Sequence, residues 1–260
     1  MDASGGYGAC RPCAGIVGYA DLTLGSRAAV VLEAHVSAGA GRFRGIRQSA
    51  SYDADLSFLA PSSRKPEGLY RDARFRAGFR CLASLNLSFD AWLFEPQLPD
   101  LIDLARAFPD TPICLDHVGT PLGIGAYAGK RKDRFDIWRA NIGALADCQN
   151  VYVKLGGLGM HYSNFPSLML KPPASSAELA DEWRPYIEAC IAAFSPSRAM
   201  FESNFPVDAL TCDYVTLWNT FKRLADPYSE AEKHDLFFGA AARFYQLRSY
   251  CSVCGSATIP

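Results

Sequence analysis

Polar residues that could do acid–base chemistry follow directly on short apolar runs at several places in this sequence. The clearest case is ICLDHVG at residues 113–119, where the apolar run ends in Asp116 and His117. With an ordinary pKa near about 6.5, a histidine can give or take a proton at neutral pH. Lysine and arginine can hold a carboxylate or stabilise an oxyanion. The residues found in such positions are Asp21, Arg47, Asp90, Asp116, His117, Lys154, Glu202 and Asn204.

The elements that carry these residues alternate between short apolar strands and longer helical patterns. This alternation predicts βαβ units and a parallel sheet. A doubly wound sheet and a (β/α)8 barrel both fit, but no strand leads into the Gly-x-Gly-x-x-Gly turn of a dinucleotide-binding sheet. Polar residues at successive strand ends favour the barrel, because its active sites lie at that face. The strand-like runs are 13–22, 43–47, 87–93, 111–119, 150–158 and 198–206, and the helix-like ones include 26–39, 97–108, 133–148, 176–194, 210–225 and 229–243.

Each of these polar residues also has a structural interpretation. An aspartate at a strand end can cap a helix or turn, which applies to Asp21, Asp90 and Asp116. A single histidine is more often a hydrogen-bonded structural residue than a catalytic one. Lys154 is harder to explain in this way, because burying a lysine within the apolar run VYVKLGGL is costly. Repetition at successive strand ends favours one functional site over separate structural roles.

Composition and charge are those of an ordinary globular chain. The 260 residues are 49% hydrophobic and 20% charged, with a net charge of −1. Nucleic acids and anionic membranes select for an excess of basic residues, so neither is expected as a partner. No apolar stretch reaches the roughly 18 residues of a membrane span and no signal peptide is recognisable, so we expect a cytoplasmic protein. A chain of this length can form one large α/β domain or two small ones.

The cysteines fall into two groups. Most lie singly within helix-like or strand-like runs, where cysteine acts as a small core residue. The others form two Cys-x-x-Cys pairs, at residues 10–13 and 251–254. Zinc ribbons normally place about 15 to 20 residues between such pairs, whereas here nearly the whole chain intervenes. Terminal cysteines without a zinc or redox role are therefore favoured.

A set of motifs runs through the chain from about residue 13 to residue 247. They are GIVGYADL, RFRGIR, LSFDAWL, PICLDHVG, VYVKLGGLG, MFESNFPVD and GAAARFYQL. In this order they resemble the amidohydrolase-related family, specifically its branch of lactonase-like TIM-barrel hydrolases, whose members open sugar lactones and pyrone-dicarboxylate lactone. The resemblance implies a (β/α)8 barrel that hydrolyses a lactone or a similar cyclic ester or carboxylate with an activated water. It also implies one domain over residues 13–247, with flexible termini at 1–12 and 248–260.

The resemblance also implies roles for individual residues. Matched by position, the histidine after the family's sixth strand is His117 and its seventh-strand lysine is Lys154, and both are expected to be catalytic. The family's eighth-strand Ser-Asp-Trp-Pro falls on residues 203–206, so Asn204 stands where an aspartate general base is expected and could only orient water or substrate. Glu202 shares the strand face of Asn204 and could supply the carboxylate. The ends of the third, fourth and fifth strands match Asp21, Arg47 and Asp90, which are expected to bind substrate.

A second departure from the family concerns its first strand. That strand ends in a His-x-His pair that binds metal or holds substrate, and this sequence contains no such pair. We therefore expect the first two strands to be missing, about six parallel strands to remain, and no cofactor or metal to bind, although full-length members of the family can bind a divalent metal such as zinc. Exposed strand edges would favour a homo-oligomer. Two alternatives to a hydrolase remain open: a truncated, catalytically impaired homologue and a small-molecule-binding barrel without turnover.

Overall fold

Six parallel strands form a single sheet in which the strand order follows the chain. The computed structural model describes residues 13–55 and 64–247. Every pair of neighbouring strands runs parallel, as the predicted βαβ units require. Within the described residues, the first strand pairs only with the second and the last only with the fifth. The strands are β1 (Ile16–Gly18), β2 (Phe43–Arg47), β3 (Ser88–Ala91), β4 (Ile113–Leu115), β5 (Val151–Leu155) and β6 (Ala199–Phe201).

Helices follow the strands, and several begin at side-chain caps visible in the sequence. The carboxylates of Asp72 and Asp213 accept the third backbone N–H of their helices, and Ser175 forms a capping box with Glu178. The helices are α1 (Ala28–Ala38), α2 (Ala73–Ser84), α3 (Leu98–Ala107), α4 (Arg131–Ala146), α5 (Ser176–Phe194), α6 (Tyr214–Ala225), α7 (Glu230–His234) and α8 (Ala240–Phe244). The helix expected over 229–243 is thus interrupted by a π-helical turn at Asp235–Gly239, where the Asp235 carboxylate pairs with Arg243.

One face of the sheet packs against helices and forms the main hydrophobic core. Side chains alternate along a strand, so Ile113 and Leu115 of β4 lie on this face while Cys114 lies on the other. Strands β3 to β5 contribute fully buried apolar residues here, as expected of strands covered by helices. The largest buried helix side chains in this layer are Phe75, Phe79, Trp138, Trp183, Phe194 and Phe221.

The other face of the sheet holds a small apolar cluster toward the amino ends of the strands. Cys114 and Met200 pack there against Ala240 and Phe244 of α8. The C-terminal helix therefore covers part of the face that would form the inside of a barrel. The carboxyl ends of the strands on this face are left to polar residues.

Some expectations concern residues that the structure does not describe. The termini predicted to be flexible, 1–12 and 248–260, lie outside the described residues, and so do all cysteines of the Cys-x-x-Cys pairs except Cys13, which is an exposed free thiol. Among the described helices, none is long and apolar enough to cross a membrane.

Candidate active site

The register of the parallel strands places the predicted site residues on one face of the sheet. Arg47 is level with Asp90 on the neighbouring strand, and Lys154 is level with Met200. Residues two positions apart on a strand share a face, and the β5–β6 ladder continues to Glu202, whose N–H donates to the Leu155 carbonyl at 3.3 Å. Side chains that are far apart in sequence therefore converge at the carboxyl end of the sheet.

A buried lysine lies at the centre of this group. Lys154 Nζ is 2.6 Å from Asp90 Oδ2 and 2.7 Å from Asp116 Oδ1, and both aspartates are buried. Arg47 Nε pairs with the second oxygen of Asp116 at 2.9 Å. The hydroxyl of Tyr245 donates to Asp90 Oδ2 at 2.8 Å. Two cations and two carboxylates thus alternate across four neighbouring strands, β2 to β5.

Burial and charge act in opposite directions on these groups. Burial raises the pKa of Asp90, whose Oδ1 has no hydrogen-bond partner within the described residues. Burial would also raise the pKa of Asp116, but the charges of Lys154 and Arg47 hold it below its usual value. Burial disfavours the charged form of Lys154, yet Asp116 and Asp90 raise its pKa well above the ordinary range. Lys154 therefore remains a cation at neutral pH.

His117 is held in one tautomer by its neighbours. Its backbone N–H donates to Glu202 Oε1 at 3.1 Å, and its ring Nδ1 donates to the same oxygen. Arg47 Nη2 donates to the ring Nε2 at 3.0 Å. Because a guanidinium can only donate, Nε2 carries no proton and the imidazole is neutral with its proton on Nδ1. The side chain of His117 is 3% exposed and that of Glu202 is 16% exposed.

A strained turn gives His117 this orientation. His117 and Val118 have φ values of 55° and 47°, which are uncommon for residues other than glycine. Gly157 of the next loop packs directly on the ring: a Cβ at this position would lie 2.5 Å from His117 Cβ. The glycine in the VKLGGL motif is therefore required by close packing as well as by its own φ of 72°.

Asn204 is bound to an aspartate one turn further along the chain. Its Nδ2 donates to Asp208 Oδ1 at 2.8 Å. Asp208 is fully buried, and burial raises its pKa to about 6. In the sequence Asp208 is simply a neighbour of the expected site, since nothing in ESNFPVD indicates that this carboxylate is buried.

An open cavity of about 520 Å³ gives access to these groups. Tyr245 of the C-terminal segment lines it and is not among the predicted site residues. Its place in the closing motif GAAARFYQL is the one signal in the sequence that points to it. Gly15 just before the first strand, Val17 within it and Ala241 of α8 complete one side. The polar lining residues are Arg47, Asp90, Lys154, Glu202, Ser203, Asn204 and Tyr245.

Asp21 lies apart from the connected group. Its carboxylate accepts hydrogen bonds from the N–H and hydroxyl of Thr23, at 3.0 and 2.7 Å, and from Gln48 Nε2 at 3.2 Å. This is the capping role considered above for aspartates at strand ends. Asp90, also expected to bind substrate, is engaged by Lys154 and Tyr245. Substrate contacts of Asp21 and Asp90 stay predictions.

Comparison with known proteins identifies the family. The profile of the amidohydrolase family matches residues 7–247. The chain belongs to the amidohydrolase family. Among relatives of this amidohydrolase, uncharacterized protein y4mH of Sinorhizobium fredii is 37% identical over 235 residues, which cover 90% of this chain and 70% of the relative. L-fucono-1,5-lactonase of Burkholderia multivorans is 30% identical over 239 residues, which cover 90% of this chain and 72% of the relative.

Solved structures agree with this assignment. Two crystal structures of an amidohydrolase from Burkholderia multivorans, one with bound HEPES and one with bound zinc, each give a TM-score of 0.72 at 28% identity, over 90% of this chain and 74% of theirs. The predicted fold, a six-stranded α/β sheet of the TIM-barrel type, and the predicted family are thereby confirmed. Family membership and the lactonase-named relative support hydrolase activity.

The zinc in one neighbour raises the question of whether the residues of this amidohydrolase fit a metal ion. Both ring nitrogens of His117 are engaged, and the carboxylates of Asp90 and Asp116 are held by Lys154 and Arg47. Cations of the protein thus occupy the positions around these donors. The part of the chain that the structure describes contains no group of three or more His, Cys, Asp and Glu side chains suited to a metal. The described donors therefore do not fit a metal centre. That the protein binds no metal stays a prediction.

Proposed function

We propose that this amidohydrolase opens a lactone by water attack, with Glu202 as the general base. The observation that carries the proposal is the placement of Glu202: a partly exposed carboxylate in a cavity that also presents Lys154 and Arg47. Both contacts that fix Glu202 use Oε1. The second oxygen, Oε2, is then the group that can take a proton from a water molecule. A base must lie within hydrogen-bond reach of that proton.

His117 acts on Glu202 in this scheme and does not touch the substrate. Its ring is buried, its Nδ1–H donates a hydrogen bond to Glu202, and its Nε2 accepts one from Arg47. A fixed N–H donor holds the carboxylate of Glu202 in one rotamer. His117, predicted from the sequence to be catalytic, is thus assigned a positioning role.

The two cations are suited to stabilise the oxyanion that water attack creates. The side chain of Arg47 is 40% exposed and is the more accessible of the two. Lys154 has three N–H donors, of which Asp90 and Asp116 engage two, so one remains for the substrate. Charged donors fixed before the reaction can contribute a factor of about 100 to 1,000 each.

The proposed reaction balances with groups of this chain alone. The water oxygen bonds to the carbonyl carbon while Glu202 takes the water proton. The ring C–O bond then breaks, and the protonated Glu202 returns its proton to the ring oxygen. The product is an open hydroxy acid, and Glu202 is restored as a carboxylate.

The substrate class is inferred from the relatives and the cavity together. One relative is named an L-fucono-1,5-lactonase, and the cavity of about 520 Å³ lies within the usual range for small-molecule sites. Arg47 at the cavity favours a substrate that bears a carboxylate or several hydroxyls. Sugar lactones and carboxylated lactones fit this description.

Turnover of a panel of sugar and carboxylated lactones by the purified chain tests the proposal, with release of acid as the measured signal. We expect Glu202→Gln to lower kcat/KM by about 100- to 10,000-fold, because the amide cannot accept the water proton. Glu188→Gln, at an exposed position on α5, is the matched control and should retain full activity. Activity of Glu202→Gln equal to that of the control would exclude Glu202 as the base. Lactone binding without turnover would instead indicate the non-catalytic binding barrel.

A further inference from the structure

Asn204 and Asp208 form a pair whose geometry is set by a tight turn. Asn204 has a φ of 49°, and its carbonyl accepts the N–H groups of Val207 at 2.9 Å and Asp208 at 3.2 Å. This turn brings the two side chains together, with Asn204 Nδ2 donating to Asp208 Oδ1 at 2.8 Å. Asn204 lines the cavity, whereas Asp208 lies behind it with no exposed surface.

The surroundings of Asp208 are those of a buried carboxylate with few partners. The Gly159 backbone donates to it, and a Cβ at Gly159 would lie 3.1 Å from Asp208 Cγ, so the loop after β5 packs tightly on the carboxyl group. Asp208 Oδ2 has no hydrogen-bond partner within the described residues. Burying a carboxylate is costly without compensation, so a purely structural contact does not account for an aspartate here.

We propose that Asp208 is a positioning residue that fixes the direction of the Asn204 amide. An ionised carboxylate only accepts hydrogen bonds, so the Asn204 NH2 group must face it. The carbonyl oxygen is then the group that Asn204 offers to the cavity, where it can accept a hydrogen bond from the attacking water or from a substrate hydroxyl. The catalytic part of this inference rests on the proposed hydrolysis; the orientation of the amide does not.

Protonation of Asp208 would remove this constraint. A neutral carboxyl can donate to the amide oxygen, which allows the NH2 group to turn toward the cavity instead. The ionisable groups that act on Asp208 are His117 after β4 and Glu202 after β6, with the Cys212 thiol on its own segment. Since burial raises the Asp208 pKa to about 6, the change in amide direction falls near neutral pH.

An NMR titration of the side-chain amide of Asn204 tests the orientation without requiring any activity. In the wild-type protein we expect its proton and nitrogen shifts to change with a midpoint at about pH 6. In Asp208→Asn this change should be lost, whereas Asp181→Asn on the exposed face of α5 should leave it intact. The inference would be overturned if the Asn204 amide shifts did not change with pH in the wild type, or if they still changed in Asp208→Asn.

A double-mutant cycle on lactone turnover tests the catalytic part. Asp208→Asn should lower kcat by about 10- to 100-fold through misplacement of Asn204, and should lower it less than about twofold when Asn204 is already alanine. If the fall in kcat of the double variant equalled the product of the falls in the two single variants, the two residues would act independently and the proposed coupling would be overturned. If no lactone is turned over, the proposed function fails, while the titration still decides whether Asp208 orients Asn204.

Discussion

The lysine between two buried aspartates is the most constrained single residue of the site. Lys154 is the partner of Asp90 and shares Asp116 with Arg47. Removing one member of such a group leaves opposite charges buried without compensation, which costs more than the intact group contributes. The stability of the sheet and the charge of the site therefore depend on the same side chain.

We expect Lys154→Met to lower the free energy of unfolding by about 3–5 kcal/mol, because two buried carboxylates lose their shared cation. Urea denaturation measures this value. Lys222→Met, on the exposed side of α6, removes the same charge without burial and should change stability by less than about 0.5 kcal/mol. Equal stabilities of the two variants would show that Lys154 is not compensating the aspartates.

Asp208 gives the folded protein a specific dependence on pH. Its pKa is about 6 when folded against an ordinary value of 3.8. Between these values the folded chain holds a proton that the unfolded chain has released, so the free energy of unfolding decreases as pH rises through this window. Asparagine does not titrate, so the free energy of unfolding of Asp208→Asn should not show this decrease.

The Asp208→Asn variant should therefore be more stable than the wild type at about pH 8, by up to about 3 kcal/mol at 1.36 kcal/mol per pKa unit. The difference should shrink toward about pH 4. Urea denaturation across this range measures it, with Asp181→Asn as the exposed control. A difference that does not vary with pH would show that Asp208 does not titrate in this window.

At the level of elements, helix α2 lies unusually close to the turn that follows β1. A Cβ on Gly78 of α2 would lie 2.2 Å from the Leu22 carbonyl oxygen, so the contact requires a glycine. Gly143 of α4 has nothing within 4 Å of the same position. The two glycines thus separate the effect of packing from that of helix propensity.

We expect Gly78→Ala to lower the free energy of unfolding by about 1–3 kcal/mol through overpacking. Gly143→Ala should raise it by roughly 0.5–1 kcal/mol, since alanine favours the helix interior. Thermal and urea denaturation of both variants measure these changes. A stabilised Gly78→Ala protein would mean that α2 and the turn can move apart freely.

At the level of the whole molecule, the sheet presents two strand edges that pair on one side only in the described residues. Unpaired edges offer backbone donors and acceptors to other chains. Exposed apolar side chains after β6 and at the start of α6 add to the associating surface, namely Val207, Leu210, Tyr214 and Val215.

We therefore expect the chain to self-associate, with a sedimentation coefficient that rises with concentration. Leu210→Glu, in the apolar patch, should weaken association more than Val30→Glu, at a similarly exposed position on α1. A monomer at all concentrations would contradict the expectation. Association unchanged by Leu210→Glu would leave the strand edges as the contact.

Much of this architecture follows from local patterns. The predicted segments 43–47 and 176–194 coincide with β2 and α5. The helix is predictable because its capping box and its apolar periodicity are encoded within a few residues of sequence. The convergence of Arg47, His117, Lys154 and Glu202 was also predictable, since parallel strands place their carboxyl ends at one edge.

The contacts between distant segments were decided only by the tertiary structure. Tyr245 reaches Asp90 across 155 positions, and His117 turns its ring toward Glu202 and Arg47 through backbone angles that its neighbours in sequence do not specify. The burial of Asp208 depends on the loop after β5 closing over it. The sequence by itself determined the elements and the end of the sheet where chemistry gathers, because those depend on local spacing. The pairing of side chains and their exposure to solvent depend on how separate segments pack against one another. Local spacing in the sequence does not specify that packing.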